Sequence, residues 1–204
     1  MKIAIIKYNA GNVQSVLFAL ERLGMQAILT DNVSEIKSAD KVIFPGVGEA
    51  SSTMKYLEKS GLDKVIPELK QPVLGICLGM QLMCEHSEER NTDCLGIFDL
   101  QVKKFTSPDL SKGEEIVKQK IPHIGWNTIY NLKSPLFKGI SENSYMYFVH
   151  SYFVESGKNT IANTDYIVEY SSALQKNNFY AVQFHPEKSG ETGQRIVENF
   201  LKLP

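Results

Sequence analysis

The stretch Pro72-Val73-Leu74-Gly75-Ile76-Cys77-Leu78-Gly79-Met80-Gln81 constrains the fold more than any other. Its first half is apolar or small and reads as a buried strand, and residues 80–85 read as the start of a helix. The joint between them, Gly75-Ile76-Cys77-Leu78-Gly79, sets a cysteine between two glycines. That is the layout of a nucleophile elbow with Cys in place of Ser. A side chain on so sharp a turn sits on strained backbone, and flanking glycines let neighbouring chain approach without a Cβ clash. The helix that follows aims its unpaired N–H groups at the sulfur. A structural cysteine on a tightly packed turn would fit the same letters. A catalytic reading therefore needs a base elsewhere in the chain.

The rest of the first half repeats the strand-to-helix alternation. Residues 2–8 form a first strand running into the turn Asn9-Ala10-Gly11-Asn12, where Asn12 can cap the next helix. That helix carries Val13, Val16, Leu17, Leu20 and Leu23 at spacings of three and four and stops at Gly24. Strands follow at 27–30 and 41–44, with a helical turn at 34–38 between them. The second of these strands ends in Pro45-Gly46-Val47-Gly48, and helices at 52–59 and 62–69 lead back to the elbow. This order predicts a parallel sheet with helices on both faces. Ligands of such sheets gather at the carboxyl ends of the strands, so the loops at 45–48 and 75–79 should be neighbours.

Beyond Arg90 the pattern changes to short strands at 96–105, 124–130, 145–154, 161–163, 167–170 and 179–184, closed by a helix at 191–201. The expected fold is α/β: a doubly wound, mostly parallel central sheet with an antiparallel β-ribbon added in the second half. Residues 1–204 are read as one domain, with 106–120 as its mobile loop.

A formal charge of −1 gives no electrostatic reason to expect nucleic acid or an anionic membrane as partner. No apolar run approaches the roughly 20 residues of a membrane span, and Lys7 interrupts the first strand too early for a secretory signal. Three cysteines are an odd count without a disulfide framework, which points to a reducing cytoplasm. Cys84, His86 and Cys94 match no familiar zinc spacing, so the zinc reading is set aside, and no cofactor is expected.

Of His86, His123, His150 and His185, the first lies in a polar run and reads as solvated. His185 ends a strand, Pro186 breaks the ladder after it, and Glu187 can leave the same edge in the same direction. A carboxylate behind an imidazole fixes its tautomer and leaves the other nitrogen for the thiol. Cys77, His185 and Glu187 are thus the candidate catalytic triad.

Gly75-Ile76-Cys77-Leu78-Gly79-Met80-Gln81 and Phe184-His185-Pro186-Glu187-Lys188-Ser189 resemble the triad-type glutamine amidotransferases. Pro45-Gly46-Val47-Gly48, Pro122-His123-Ile124-Gly125-Trp126-Asn127 and Tyr147-Phe148-Val149-His150-Ser151-Tyr152 narrow the resemblance to the glutaminase subunits of imidazole glycerol phosphate synthases. It spans the chain from first strand to last helix. Lys7-Tyr8 stands where that family more usually has an apolar or acidic residue, away from the triad.

The resemblance implies hydrolysis of glutamine through a γ-glutamyl thioester on Cys77. An oxyanion hole would be made by the backbone of Leu78 and of Val47, the latter after a peptide flip. Gly48, Gln81, Glu89, Ser151 and Tyr152 would surround the glutamine. Asn9, Asn12, His123, Trp126 and Asn127 would contact a (βα)₈-barrel cyclase subunit, giving a heterodimer. That partner would use the ammonia to make imidazole glycerol phosphate in histidine biosynthesis, and its own ligand would activate the glutaminase. Three other readings stay open: a paralogous glutaminase feeding another synthase such as a sugar-amidating one, a non-catalytic scaffold, and a different Cys-elbow hydrolase.

Overall fold

The computed structural model describes residues 1–8, 12–106 and 119–204. Asn9 and residues 107–118, the greater part of the expected mobile loop, lie outside the described residues.

Five parallel strands carry the structure. β1 (Ile3–Ile6) lies between β2 (Ala27–Thr30) and β3 (Lys41–Gly46); β4 (Val73–Cys77) follows β3. The second half supplies the hairpin of β5 (His86–Ser87) and β6 (Thr92–Asp93), then β7 (Gln101–Lys104), β8 (His123–Ile129), β9 (Ser144–His150) and β10 (Tyr152–Val154). It ends with β11 (Thr160–Tyr166), β12 (Val168–Lys176) and β13 (Phe179–Val182). β13 lies parallel against the free edge of β4, and β12, β10, β7, β5 and β6 extend the sheet from there. β8 and β9 pair as a separate two-stranded antiparallel sheet. The predicted architecture of a mostly parallel sheet with antiparallel additions is the observed one.

Alternation across the strands builds two cores. Ala4, Ile6, Val42, Phe44 and Val73 face α2 (Val33–Lys37), α3 (Ala50–Ser60) and α4 (Leu62–Val65). Ile3, Ile5, Ile43, Leu74 and Ile76 face α1 (Val13–Arg22) and α6 (Gly190–Leu201), with the inner face of β8 and β9. β1, β3 and β4 are covered on both sides, which is why they read as continuous apolar runs, whereas the edge strand β2 leaves Ile28 and Leu29 exposed.

Several expectations need adjusting, among them the strand read at 96–105, of which only β7 forms. The helix at 62–69 becomes α4 followed by a 3₁₀ turn, Ile66–Glu68, because Pro67 has no N–H to continue an α-helical ladder. The single strand at 145–154 splits at Ser151 into β9 and β10, which enter different sheets. The polar run around His86 forms the β5–β6 hairpin: Ser87 pairs with Thr92, Arg90 and Asn91 in the loop between them stand in the left-handed region at φ 53° and 50°, and His86 Nδ1 lies 3.0 Å from Asp93 Oδ1. Among the described residues no helix is long and apolar enough to cross a membrane.

Candidate active site

Cys77 ends β4 and caps the five-residue helix α5 (Leu78–Leu82) with φ 53° and ψ −108°. Strain of this kind costs on the order of 1–3 kcal/mol and persists only where the surroundings enforce it. Here the surroundings are glycine contacts. A Cβ on Gly79 would lie 1.9 Å from the carbonyl oxygen of Phe44, and one on Gly46 would meet Gly79 N at 2.7 Å. Gly46 pairs with Cys77 in the ladder, so the 45–48 loop and the elbow are the neighbours the alternation predicted. Tyr8, expected away from the triad, is instead buried beside the elbow and braces that loop by donating its hydroxyl to the Pro45 carbonyl, because β1 lies next to β3 in the sheet.

His185 follows β13. Its N–H donates to Tyr147 O at 2.9 Å, while the Ser189 hydroxyl accepts from Tyr147 N and donates to His185 O. Glu187 lies in the 3₁₀ turn Pro186–Lys188, and its Oε1 is 2.7 Å from His185 Nδ1 with both side chains buried. Burial works against an imidazolium at His185, yet contact with Cys77 and Glu187 outweighs it and raises the pKa to about 10.

A cavity of about 350 Å³ opens over these groups. It is lined by Cys77, Leu78, Val47, Gly48, Gln81, Glu89, Ser151, Tyr152 and His185, with Pro122, Val149, His150 and Lys188. All the residues expected at the nucleophile, the oxyanion and the glutamine therefore line one space, except Glu187, which stands behind His185. Gln81 Nε2 donates to Tyr152 O and to Gln183 Oε1, both at 2.9 Å. Glu89 Oε2 accepts from Ala50 N at 2.7 Å, and the Arg90–Glu49 ion pair adds a second tie from the β5–β6 hairpin to the start of α3.

The residues expected at a partner surface divide. Trp126 is 55% exposed beside Ile124 and Tyr145, and its ring meets Tyr147 edge-on. Asn127 is half-buried and donates to Asp165 O. His123 is turned inwards: it is 3% exposed, stacked on Tyr166 at 3.8 Å, and in contact with His150 Nε2 at 3.1 Å. Asn12 does not use its side chain as a helix cap. At φ 74° it instead donates to Glu187 Oε1, with His185 Nδ1 3.4 Å away. Lys188, His150 and Gln183 went unassigned in the sequence reading, although each lies in or beside a motif quoted above. Their letters fit packing equally well, and only the fold brings His150 and Lys188 to the cavity and buries Gln183 behind Cys77. Among the described residues no group of three or more His, Cys, Asp or Glu could hold a metal ion.

Burial lowers the pKa of His123 to about 4 and that of His150 to about 3. Both fold neutral and gain a proton near pH 6.5 once unfolded, so their stabilisation is complete above 6.5 and is lost as the pH falls towards 4. The slope approaches about 1.4 kcal/mol per pH unit for each histidine. Urea unfolding between pH 7 and 4 should show this decline, and His123→Phe should flatten it; an identical slope in the variant contradicts the burial described.

The sequence profile of the family described as "Glutamine amidotransferase class-I" matches residues 4–203. The chain is 61% identical over 203 residues to the imidazole glycerol phosphate synthase subunit HisH of Bacteroides fragilis, with 100% of both chains covered. It is 46% identical to the HisH subunit of Pasteurella multocida, over 98% of this chain and 97% of that one. The crystal structure of a glutamine amidotransferase from Thermotoga maritima shares the fold with a TM-score of 0.65 at 16% identity, covering 98% of this chain and 82% of that one. The chain belongs to the class-I glutamine amidotransferases and, within them, to the HisH subunits of imidazole glycerol phosphate synthase.

Proposed function

We propose that this chain is the glutaminase half of an imidazole glycerol phosphate synthase, a single cytoplasmic domain that hydrolyses glutamine and passes ammonia to a (βα)₈-barrel cyclase subunit. The observation that carries the reading is the shared cavity: Cys77 and His185 line it, and the Glu187 carboxylate holds the back of His185 at 2.7 Å.

In the proposed reaction the Cys77 sulfur attacks the side-chain amide carbon of glutamine after giving its proton to His185. The imidazolium returns that proton to the departing nitrogen, ammonia leaves, and a γ-glutamyl thioester remains on Cys77. His185 then takes a proton from water, hydroxide adds to the thioester carbon and expels the sulfur, glutamate is released, and the imidazolium returns its proton to the Cys77 thiolate. The raised pKa of His185 suits it to hold the proton between the two transfers. Leu78 N–H and a peptide at Val47 would stabilise the tetrahedral oxyanion. Gly48, with φ 124°, gives that loop a conformation few other residues tolerate. Gly48, Gln81, Glu89, Ser151 and Tyr152 would hold the glutamine, with Glu89 facing its ammonium.

The exposed Ile124, Trp126 and Tyr145 give the partner an apolar landing surface. Asn127 would add a polar contact to it, and by the family resemblance Asn9 and Asn12 would also meet the partner. His123 would act there through the strand it anchors. Trp126→Ala should weaken assembly with the barrel by tenfold or more, as loss of a central aromatic anchor does; unchanged affinity in calorimetry returns Trp126 to a packing role. Glu187→Gln should lower kcat by about 10²–10⁴ with glutamine KM nearly constant, because the tautomer of His185 is no longer enforced. An unchanged kcat removes Glu187 from the reaction.

The test of the whole reading is glutamate release by the chain alone, with a barrel cyclase, and with that cyclase plus its nucleotide ligand. Release should rise at each step. A complex no faster than its Cys77→Ala counterpart overturns the glutaminase assignment.

A further inference from the structure

We infer that Gln183 is a further residue of the thiol chemistry, a fixed N–H donor to the sulfur of Cys77. The inference rests on Cys77 being the nucleophile, and its argument is the polarity of one buried chain of hydrogen bonds.

The chain is anchored at the Tyr152 carbonyl, which can only accept. It receives His150 Nδ1 at 2.8 Å and Gln81 Nε2 at 2.9 Å. The amide of Gln81 must therefore present its nitrogen there, and that nitrogen also lies 2.9 Å from the side chain of Gln183. A donor facing Gln183 requires an acceptor in return, so Gln183 turns its oxygen to Gln81 and its nitrogen the other way. That nitrogen is 3.6 Å from Cys77 Sγ. Flipping the Gln183 amide would set NH₂ against NH₂ and oxygen against sulfur. Gln183 is 0% exposed and Gln81 5%, so bulk water does not relieve either contact.

The position follows from the sheet. Val182 pairs with Ile76 in the parallel ladder, so the next residues, Gln183 and Cys77, leave their strands side by side. Gln183 N also bonds Ser172 O, which holds its backbone on β12. The anchoring end is equally determined. His150 needs its proton on Nδ1, which leaves Nε2 to accept from the Tyr170 hydroxyl at 3.2 Å or His123 Nδ1 at 3.1 Å.

The consequence for chemistry concerns the sulfur. Besides His185, its other neighbour is the Val149 carbonyl at 3.7 Å, which suits a thiol hydrogen and repels a thiolate. Gln183 supplies the opposite: a donor that strengthens as negative charge builds on sulfur, before attack and again when the carbon–sulfur bond of the thioester breaks. The alternative is that Gln183 only satisfies Gln81.

Two variants separate these roles. Gln183→Glu keeps the shape and the acceptor facing Gln81 but sets an oxygen against the sulfur; Gln183→Met removes both ends. The readout is the rate of Cys77 alkylation by iodoacetamide in the full chain, mapped by peptide mass, with the half-buried Cys94 as internal reference. Alkylation at Cys77 should slow about tenfold or more in Gln183→Glu and about three- to tenfold in Gln183→Met. A merely structural role predicts the reverse, since a loosened site exposes its thiol. Unchanged or faster alkylation at Cys77 therefore overturns the inference, and Gln183→Met decides alone if the buried carboxylate prevents folding. This readout needs no glutamine. If alkylating Cys77 in the wild-type chain leaves glutamate release intact, it is the glutaminase reading that fails.

Discussion

Cys77→Ser should abolish glutamine hydrolysis, by three orders of magnitude or more in kcat, while the assembled complex still makes product from added ammonia. The elbow keeps its geometry with serine, because the strained φ of 53° is imposed by the Gly46, Gly75 and Gly79 contacts and not by sulfur. What changes is the nucleophile. A hydroxyl is far less acidic than a thiol, and a constellation tuned to sulfur does not deprotonate it. On the proposed division of labour, ammonia-fed synthesis would bypass the glutaminase site altogether, so it should stay within about twofold of the wild type, a margin small on the scale of a knocked-out nucleophile. Parallel assays of glutamate release and of ammonia-fed turnover check both halves. Loss of both in a complex that still assembles contradicts the division of labour; retention of both removes Cys77 from the reaction.

That prediction draws on a part of the structure that was legible in the letters. Gly75-Ile76-Cys77-Leu78-Gly79 encodes its own geometry, since only a residue without a Cβ tolerates a backbone at the distances found beside Gly79. The strands of the parallel sheet were legible for a related reason: burial on both faces leaves no polar alternation to misread. Asn12 shows where local reading stops. By position it is a helix cap, but its amide is taken by Glu187, 175 residues away, and no local preference encodes that contact. The split at Ser151 has the same origin: its carbonyl accepts from Phe105 N, a partner supplied by another strand. His123 and Trp126 differ again. Three residues apart on one strand, they must point to opposite faces, so the burial of one and the exposure of the other could have been read from spacing alone.

The largest stability effect should come from Gly79→Ala, which is expected to destabilise the chain by about 3 kcal/mol or more and to leave little of it soluble. The added Cβ would sit 1.9 Å from Phe44 O and 3.0 Å from Phe44 C. Both are backbone atoms of β3, which is buried and hydrogen-bonded to β1 on one side and β4 on the other, so no side-chain rotation relieves the contact. Relief requires parting β3 from α5, and that in turn opens the Gly46–Cys77 approach on which the cavity depends. Gly157→Ala is the useful comparison. Its Cβ would meet Leu100 Cδ2 at 2.5 Å, the far end of a flexible side chain, and should cost about 1 kcal/mol or less. Urea midpoints of the two variants measure the difference. Equal midpoints would mean that the close approach of strand and elbow is not what holds Cys77 in its strained conformation.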